Sequence, residues 1–133
     1  MNSISFQYTL DKVGLPLIVT SNKPNLCFLI DTGATHNIVF SYVYEKFSHI
    51  FKPIHYSTVV MGIDGLLKET HQVACTLTFE DKEADSVFSV LDANSAVLQV
   101  QRENGVQIHG ILGVPFLTQN KWIIDFKNLT LQC

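Results

Sequence analysis

The run Leu26-Cys27-Phe28-Leu29-Ile30 contains no charged or amide side chain and stops at a carboxylate, Asp31. A strand that is apolar on both faces must be covered on both faces, so it belongs inside a layered domain and not on its surface. A carboxylate at the end of such a strand is costly unless it is hydrogen-bonded or neutralised. The chain therefore needs other elements packed around residues 26–30, and Asp31 needs local donors.

The flanking sequence supplies short runs broken by turn chemistry. Ile4 to Leu10 alternates apolar and polar side chains and reads as a strand; Leu15 to Thr20 reads as another, after the turn-rich Asp11-Lys12-Val13-Gly14. Ser21 to Asn25, which contains Pro24, is a further turn. Val39, Phe40, Val43, Tyr44 and Phe47 have the spacing of a short helix. Tyr56 to Met61 and Leu66 to Phe79 read as strands on either side of Gly62-Ile63-Asp64-Gly65, where Asp-Gly is a strong hairpin signal. After the turn Glu80-Asp81-Lys82, Ala84 to Leu91 alternates again. Asp92 to Asn104 is compatible with a helix capped by Asn94 or Ser95 and ended by Gly105, and also with a strand. Ile108 to Leu112 is a strand candidate closed by Gly113, and Pro115 suits the first turn of a short helix, Val114 to Gln119. Trp122 to Phe126 and Leu129 to Gln132 form a terminal hairpin over Lys127-Asn128. The expectation is an all-β domain with two or three short helices, one domain over residues 1–133.

Composition narrows the function. An apolar fraction of 47% against 16% charged is enough to build a core and too little charge for a disordered chain. The net charge is −3 and Lys and Arg are scattered singly, so no basic stripe exists to neutralise phosphates and nucleic-acid binding is not expected. No apolar run reaches the length of a membrane span. Met1-Asn2-Ser3-Ile4-Ser5 lacks the basic and apolar regions of a signal peptide, so a cytoplasmic location is expected. Cys27, Cys75 and Cys133 are odd in number and far apart, as free thiols in a reducing compartment would be. The histidines His36, His49, His55, His71 and His109 have no metal-ligand spacing, and no metal or other cofactor is expected.

Asp31-Thr32-Gly33 alone is a weak signal, because a turn after a strand uses the same residue types. Its context is specific. Phe28-Leu29-Ile30-Asp31-Thr32-Gly33-Ala34-Thr35, followed by His36-Asn37 and Ile38-Val39, resembles the active-site loop of retropepsin-like aspartic proteases. Met61-Gly62-Ile63-Asp64-Gly65-Leu66-Leu67 resembles the glycine-rich flap of that family. Ile111-Leu112-Gly113 with Phe116-Leu117-Thr118-Gln119 resembles its second apolar-apolar-Gly motif and short helix, and Trp122-Ile123-Ile124-Asp125-Phe126 resembles the strand that follows in cellular members. The motifs come in the family's order and span most of the chain.

The resemblance implies a closed acid-protease-like barrel with a flap hairpin. It implies an aspartic endopeptidase in which two carboxylates hold a water and share one proton, so that one acts as base and the other as acid. Asp31 would be the catalytic carboxylate, Thr32 would hydrogen-bond across a two-fold axis, and Gly33 would aim its N–H at the carboxylate. Ala34, Gly62, Ile63, Asp64 and Gly65 would contact a peptide substrate. Ile111, Leu112 and Gly113 would either brace the Asp31 loop or simply fill the core. None of Asp11, Asp64, Asp81, Asp85, Asp92 and Asp125 is followed by Thr-Gly or Ser-Gly, so the second carboxylate has to come from a second copy in a homodimer. The alternative is a retropepsin-like dimerisation or peptide-binding domain with little or no turnover.

Four departures stand out. Asp64 occupies a place where retroviral flaps carry glycine, Val114 one where they carry an arginine that ties the dimer, and Pro115 one usually held by Asn or Asp. The segment Trp122 to Cys133 extends past the end of the short retroviral chains. Its hairpin either supplies the dimer interface or packs on its own domain.

Overall fold

A computed structural model describes residues 2–61 and 67–133. The expected flap tip, Gly62 to Gly65, lies outside the described residues. The apolar run forms strand β3 (Cys27–Ile30), and its neighbours cover it as its composition demands. On one side it pairs antiparallel with β2 (Leu17–Val19), and on the other it runs parallel to β8 (Gly110–Leu112). β8 in turn pairs antiparallel with β4 (Ile38–Phe40), which runs parallel to β7 (Lys82–Leu91). β6 (Leu67–Phe79) and β5 (Lys52–Met61) complete a seven-stranded sheet of order β2-β3-β8-β4-β7-β6-β5. β5 and β6 pair antiparallel as far as Met61 opposite Leu67, so the arms of the expected hairpin are present.

Among the described residues the expected closed barrel does not form. The large sheet is open from β2 at one edge to β5 at the other, and β1 (Ser3–Ser5), β10 (Thr130–Gln132) and β9 (Ile123–Asp125) make a separate three-stranded sheet of order β1-β10-β9. Strand length is the reason. β5, β6 and β7 have 10, 13 and 10 residues, whereas β2, β3, β4 and β8 have only three or four. Closure needs a consistent tilt and stagger around the whole ring, and with strands this short the two sides meet only locally: just after β2, Ser21 N donates to Thr78 O on β6, Asn22 Nδ2 donates to Thr76 O, and Asn22 Oδ1 accepts from Thr78 N.

The helices are also more numerous than expected. The alternation at Ile4 to Leu10 breaks after β1, and Gln7–Val13 is helix α1, ended by Gly14 in the left-handed region at φ 80°. Phe6 and Leu10 are four residues apart and so share a helical face; Phe6 is buried while Tyr8, between them, is 72% exposed. Alternation and helical spacing coincide over so short a stretch, and docking of Phe6 decides between them. Residues 39–47 divide between β4 and helix α2 (Ser41–Lys46), with a 3₁₀ turn at Ser48–Ile50. The ambiguous segment is helix α3 (Ser95–Asn104), with Asn94 Oδ1 accepting from Val97 N at its start and Gly105 closing it. Helix α4 (Val114–Asn120) begins with Pro115 in its first turn, as read from the sequence. Among the described residues no helix is long and apolar enough to cross a membrane.

The core joins both sheets. Phe28 stacks on Phe88 with ring centroids 5.5 Å apart, and Trp122 lies edge-on to Phe79 at 5.2 Å and to Phe116 at 4.8 Å. The terminal hairpin thus packs on its own domain through Trp122 and the fully buried Leu131. Its turn is held by Asp125, whose Oδ1 accepts from Lys127 N and Asn128 N. The bonds with Asn128, and those with Lys127 and Gln132, hold the Asp125 carboxyl below the usual range. Ile123 on β9 and Phe126 beside it stay 52% and 63% exposed.

Candidate active site

Asp31 leaves β3 where the parallel ladder with β8 ends. Ile30 is opposite Leu112, and Asp31 N continues the pattern by donating to Leu112 O at 3.0 Å. The chain then turns tightly: Ala34 N donates to Asp31 O at 3.1 Å, and Gly33 N donates to Asp31 Oδ1 at 2.9 Å. The donor expected for the carboxylate is therefore the Gly33 amide. A Cβ on residue 33 would lie 3.2 Å from that same carboxylate oxygen, so glycine suits the close approach. Asp31 and Ala34 are half-buried, while Thr32 and Gly33 are exposed at the tip of the loop.

The second motif lies against this loop. Ile111 is held between Leu29 on β3 and Ile38 on β4, and Leu112 is fully buried. Gly113 is seated against the loop's backbone: a Cβ there would come within 2.6 Å of Ala34 O and 2.8 Å of His36 O. Val114 N donates to Ala34 O at 3.0 Å. Asp31, Thr32, Gly33 and Ala34 thus come together with Leu112 and Gly113, with Ile111 one position back in the core. The flap positions Gly62, Ile63, Asp64 and Gly65 lie outside the described residues.

One residue was not singled out from sequence. Asn37 is 4% exposed, and its Oδ1 accepts from Gly113 N at 3.0 Å and Phe116 N at 3.1 Å. Its Nδ2 donates to Val87 O at 3.1 Å, and its backbone carbonyl accepts from Ser89 N at 2.8 Å. The available signal was an amide side chain immediately before the wholly apolar β4, a position that has to be buried and therefore paired.

His36 contacts Thr35 Oγ1 through Nδ1 at 3.0 Å on the same loop. Among the described residues no three His, Cys, Asp or Glu side chains converge as a metal site would require. Burial pushes the Cys27 and Cys75 thiols up to about 11, so both are poor nucleophiles at neutral pH.

His109 sits at the far end of the strands that carry the loop. Its Nδ1 accepts from Cys27 N at 2.8 Å, while its own backbone N donates to Cys27 O at 2.8 Å. A ring that accepts through Nδ1 is neutral, with its proton on Nε2. Burial first, and the positive charge of Lys46 second, lower its pKa. Because the folded value lies below the unfolded one of about 6.5, stability is full above pH about 6.5 and falls as pH drops toward the folded value. His109→Asn keeps an acceptor near the Nδ1 position and cannot titrate. Melting curves between pH 7 and pH 5 are expected to show a shallower decline for this variant; parallel declines in both proteins would remove His109 as the cause.

The arrangement defines a retropepsin-like fold. A solved structure, the retroviral protease-like domain of Ddi1 from Leishmania major, superposes with a TM-score of 0.56 over 88% of each chain, at 15% sequence identity. No protein-family model matches the sequence, and no curated protein matches it.

Proposed function

We propose that this chain is one half of an aspartic endopeptidase that works as a homodimer. The observation that carries this is the Asp31 loop: an exposed turn in which the carboxylate is oriented by the Gly33 amide at 2.9 Å, built on two strand ends of a retropepsin-like fold. Such a loop presents a fixed carboxylate but only one per chain. A second copy supplies the other.

In the dimer, two facing carboxylates share one proton because both cannot ionise comfortably at such close range. The ionised Asp31 takes a proton from a water held between the two. The resulting hydroxide oxygen bonds to the scissile carbonyl carbon, while the partner's Asp31 gives its proton to the carbonyl oxygen. The Asp31 that took the water's proton then passes it to the amide nitrogen, and the partner's Asp31 takes a hydroxyl proton from the tetrahedral carbon as its carbonyl re-forms. The C–N bond breaks, and the pair again holds one proton. Thr32 is exposed beside the carboxylate and is free to meet the same loop of a second copy. The exposed apolar side chains of Val114, Ile123 and Phe126, with the open edge of β9, offer apolar surface for the second copy. An extended peptide would bind by strand addition beneath the β5–β6 hairpin.

The test is a peptide-library digest from acid to neutral pH, with activity followed over a dilution series. Specific activity is expected to fall as dilution separates the dimer, in step with the loss of dimer in sedimentation. Full activity from a sedimenting monomer excludes the two-chain site. A stable dimer that binds peptides without cutting any of them identifies a binding module instead.

A further inference from the structure

We infer that Asn37 is a positioning residue for the Asp31 loop, acting through Gly113; this rests on the peptidase proposal above. The geometry begins at helix α4. Its first turn presents backbone N–H groups that the helix itself cannot satisfy, and Gly113, at the cap position, has no side chain with which to satisfy them. Pro115 has no N–H to satisfy. The Val114 N–H goes to Ala34 O, and the N–H groups of Gly113 and Phe116 both go to Asn37 Oδ1. Asn37 therefore caps α4 from the residue just before β4, and every partner named comes from residues 34–37, directly after the catalytic turn.

That cap fixes the height of the loop. Gly113 bears on the carbonyls of Ala34 and His36, and its neighbour Leu112 accepts the Asp31 amide. Residues 112–114 thus hold the Asp31 turn at both of its ends, and Asn37 clamps residues 112–114. The other half of the amide anchors the clamp, since Nδ2 donates to Val87 O on β7, which also receives Asn37's backbone carbonyl through Ser89 N. One buried amide links β4, β7 and α4 around the carboxylate. Loss of this clamp lets the turn shift by a fraction of an ångström, and catalysis between two carboxylates is sensitive to shifts of that size.

Asn37→Asp tests this, because a neutral carboxylic acid reproduces the amide: its carbonyl accepts from Gly113 and Phe116 and its O–H donates to Val87 O. Once ionised it keeps the two acceptor bonds, loses the donor and sets a negative charge against the Val87 carbonyl. Asn37→Ser is too short to span the site in any protonation state. The expected result for Asn37→Asp is a kcat near wild type at acid pH that falls about 10- to 100-fold at higher pH, with KM changed less than about twofold. Asn37→Ser is expected to show the low kcat throughout. Amide hydrogen exchange at Gly113 and Phe116 should accelerate in step with each kcat loss. A kcat profile for folded Asn37→Asp that overlays wild type, a loss confined to KM, or unchanged exchange at both amides overturns the inference. The exchange measurement needs no turnover, so a wild-type protein that cleaves nothing defeats the peptidase proposal while the anchoring role of Asn37 is still judged.

Discussion

Asp31→Asn is expected to fold and dimerise as the parent chain does and to cleave peptides at least about 10³-fold more slowly. Asparagine keeps an oxygen at the position that accepts from Gly33 N at 2.9 Å, so the turn survives. It can neither take a proton from water nor carry the shared one, so the chemistry does not. Thermal midpoints and sedimentation should match wild type while turnover is lost. Mixing makes the prediction sharper. If wild-type and variant chains exchange freely in equal amounts, only roughly a quarter of the dimers keep two carboxylates. Activity per wild-type chain should then halve, and excess variant should suppress it further. Turnover that survives in the variant removes Asp31 from the mechanism. Strictly additive activities on mixing would mean that each chain acts alone.

Gly113→Ala is expected to lower stability by about 3 kcal/mol. The backbone of Gly113, at φ −100°, is open to any residue, so the difficulty is space and not conformation. A Cβ would lie 2.6 Å from Ala34 O, 2.8 Å from His36 O and 3.0 Å from Ala34 Cβ. Two of those obstacles are backbone oxygens, which cannot turn aside like a flexible side chain. Relief requires the Asp31 loop to move away from residues 112–114, which strains the bonds from Asp31 N to Leu112 O and from Val114 N to Ala34 O. Urea denaturation at a fixed protomer concentration measures the loss, and cleavage by the folded fraction should fall with it. Gly14→Ala is a useful contrast: residue 14 has a φ of 80° but open space around it, so strain alone should cost about 1–2 kcal/mol. Equal effects at the two positions would show that Gly113 is not wedged as described.

Much of the architecture was legible in short-range chemistry. The long strands β6 and β7 and the Pro115 helix start rest on local signals that tertiary packing leaves in place, whereas the segment between Asn94 and Gly105 was open to helix or strand until the fold made it a helix. Misreadings fall where two periodicities coincide or where a strand is very short. Phe6 and Leu10 fit either a strand or a helix, and Ile38 to Phe40 is a strand of three residues against a helical pattern. Barrel closure depends on the stagger and tilt of every strand at once, which no single segment encodes.

The same division holds at the site. By itself the sequence determined that a carboxylate ends an apolar strand and needs local donors, and that Asp-Thr-Gly occurs once. These follow from the residue types and their spacing. Tertiary structure alone decided what steadies the turn. Asn37 and Gly113 are 76 residues apart in sequence and 3.0 Å apart between Oδ1 and N, and nothing local to either residue announces the other. A buried amide must find its partners wherever the fold brings donors and acceptors together, and here they lie around Asp31.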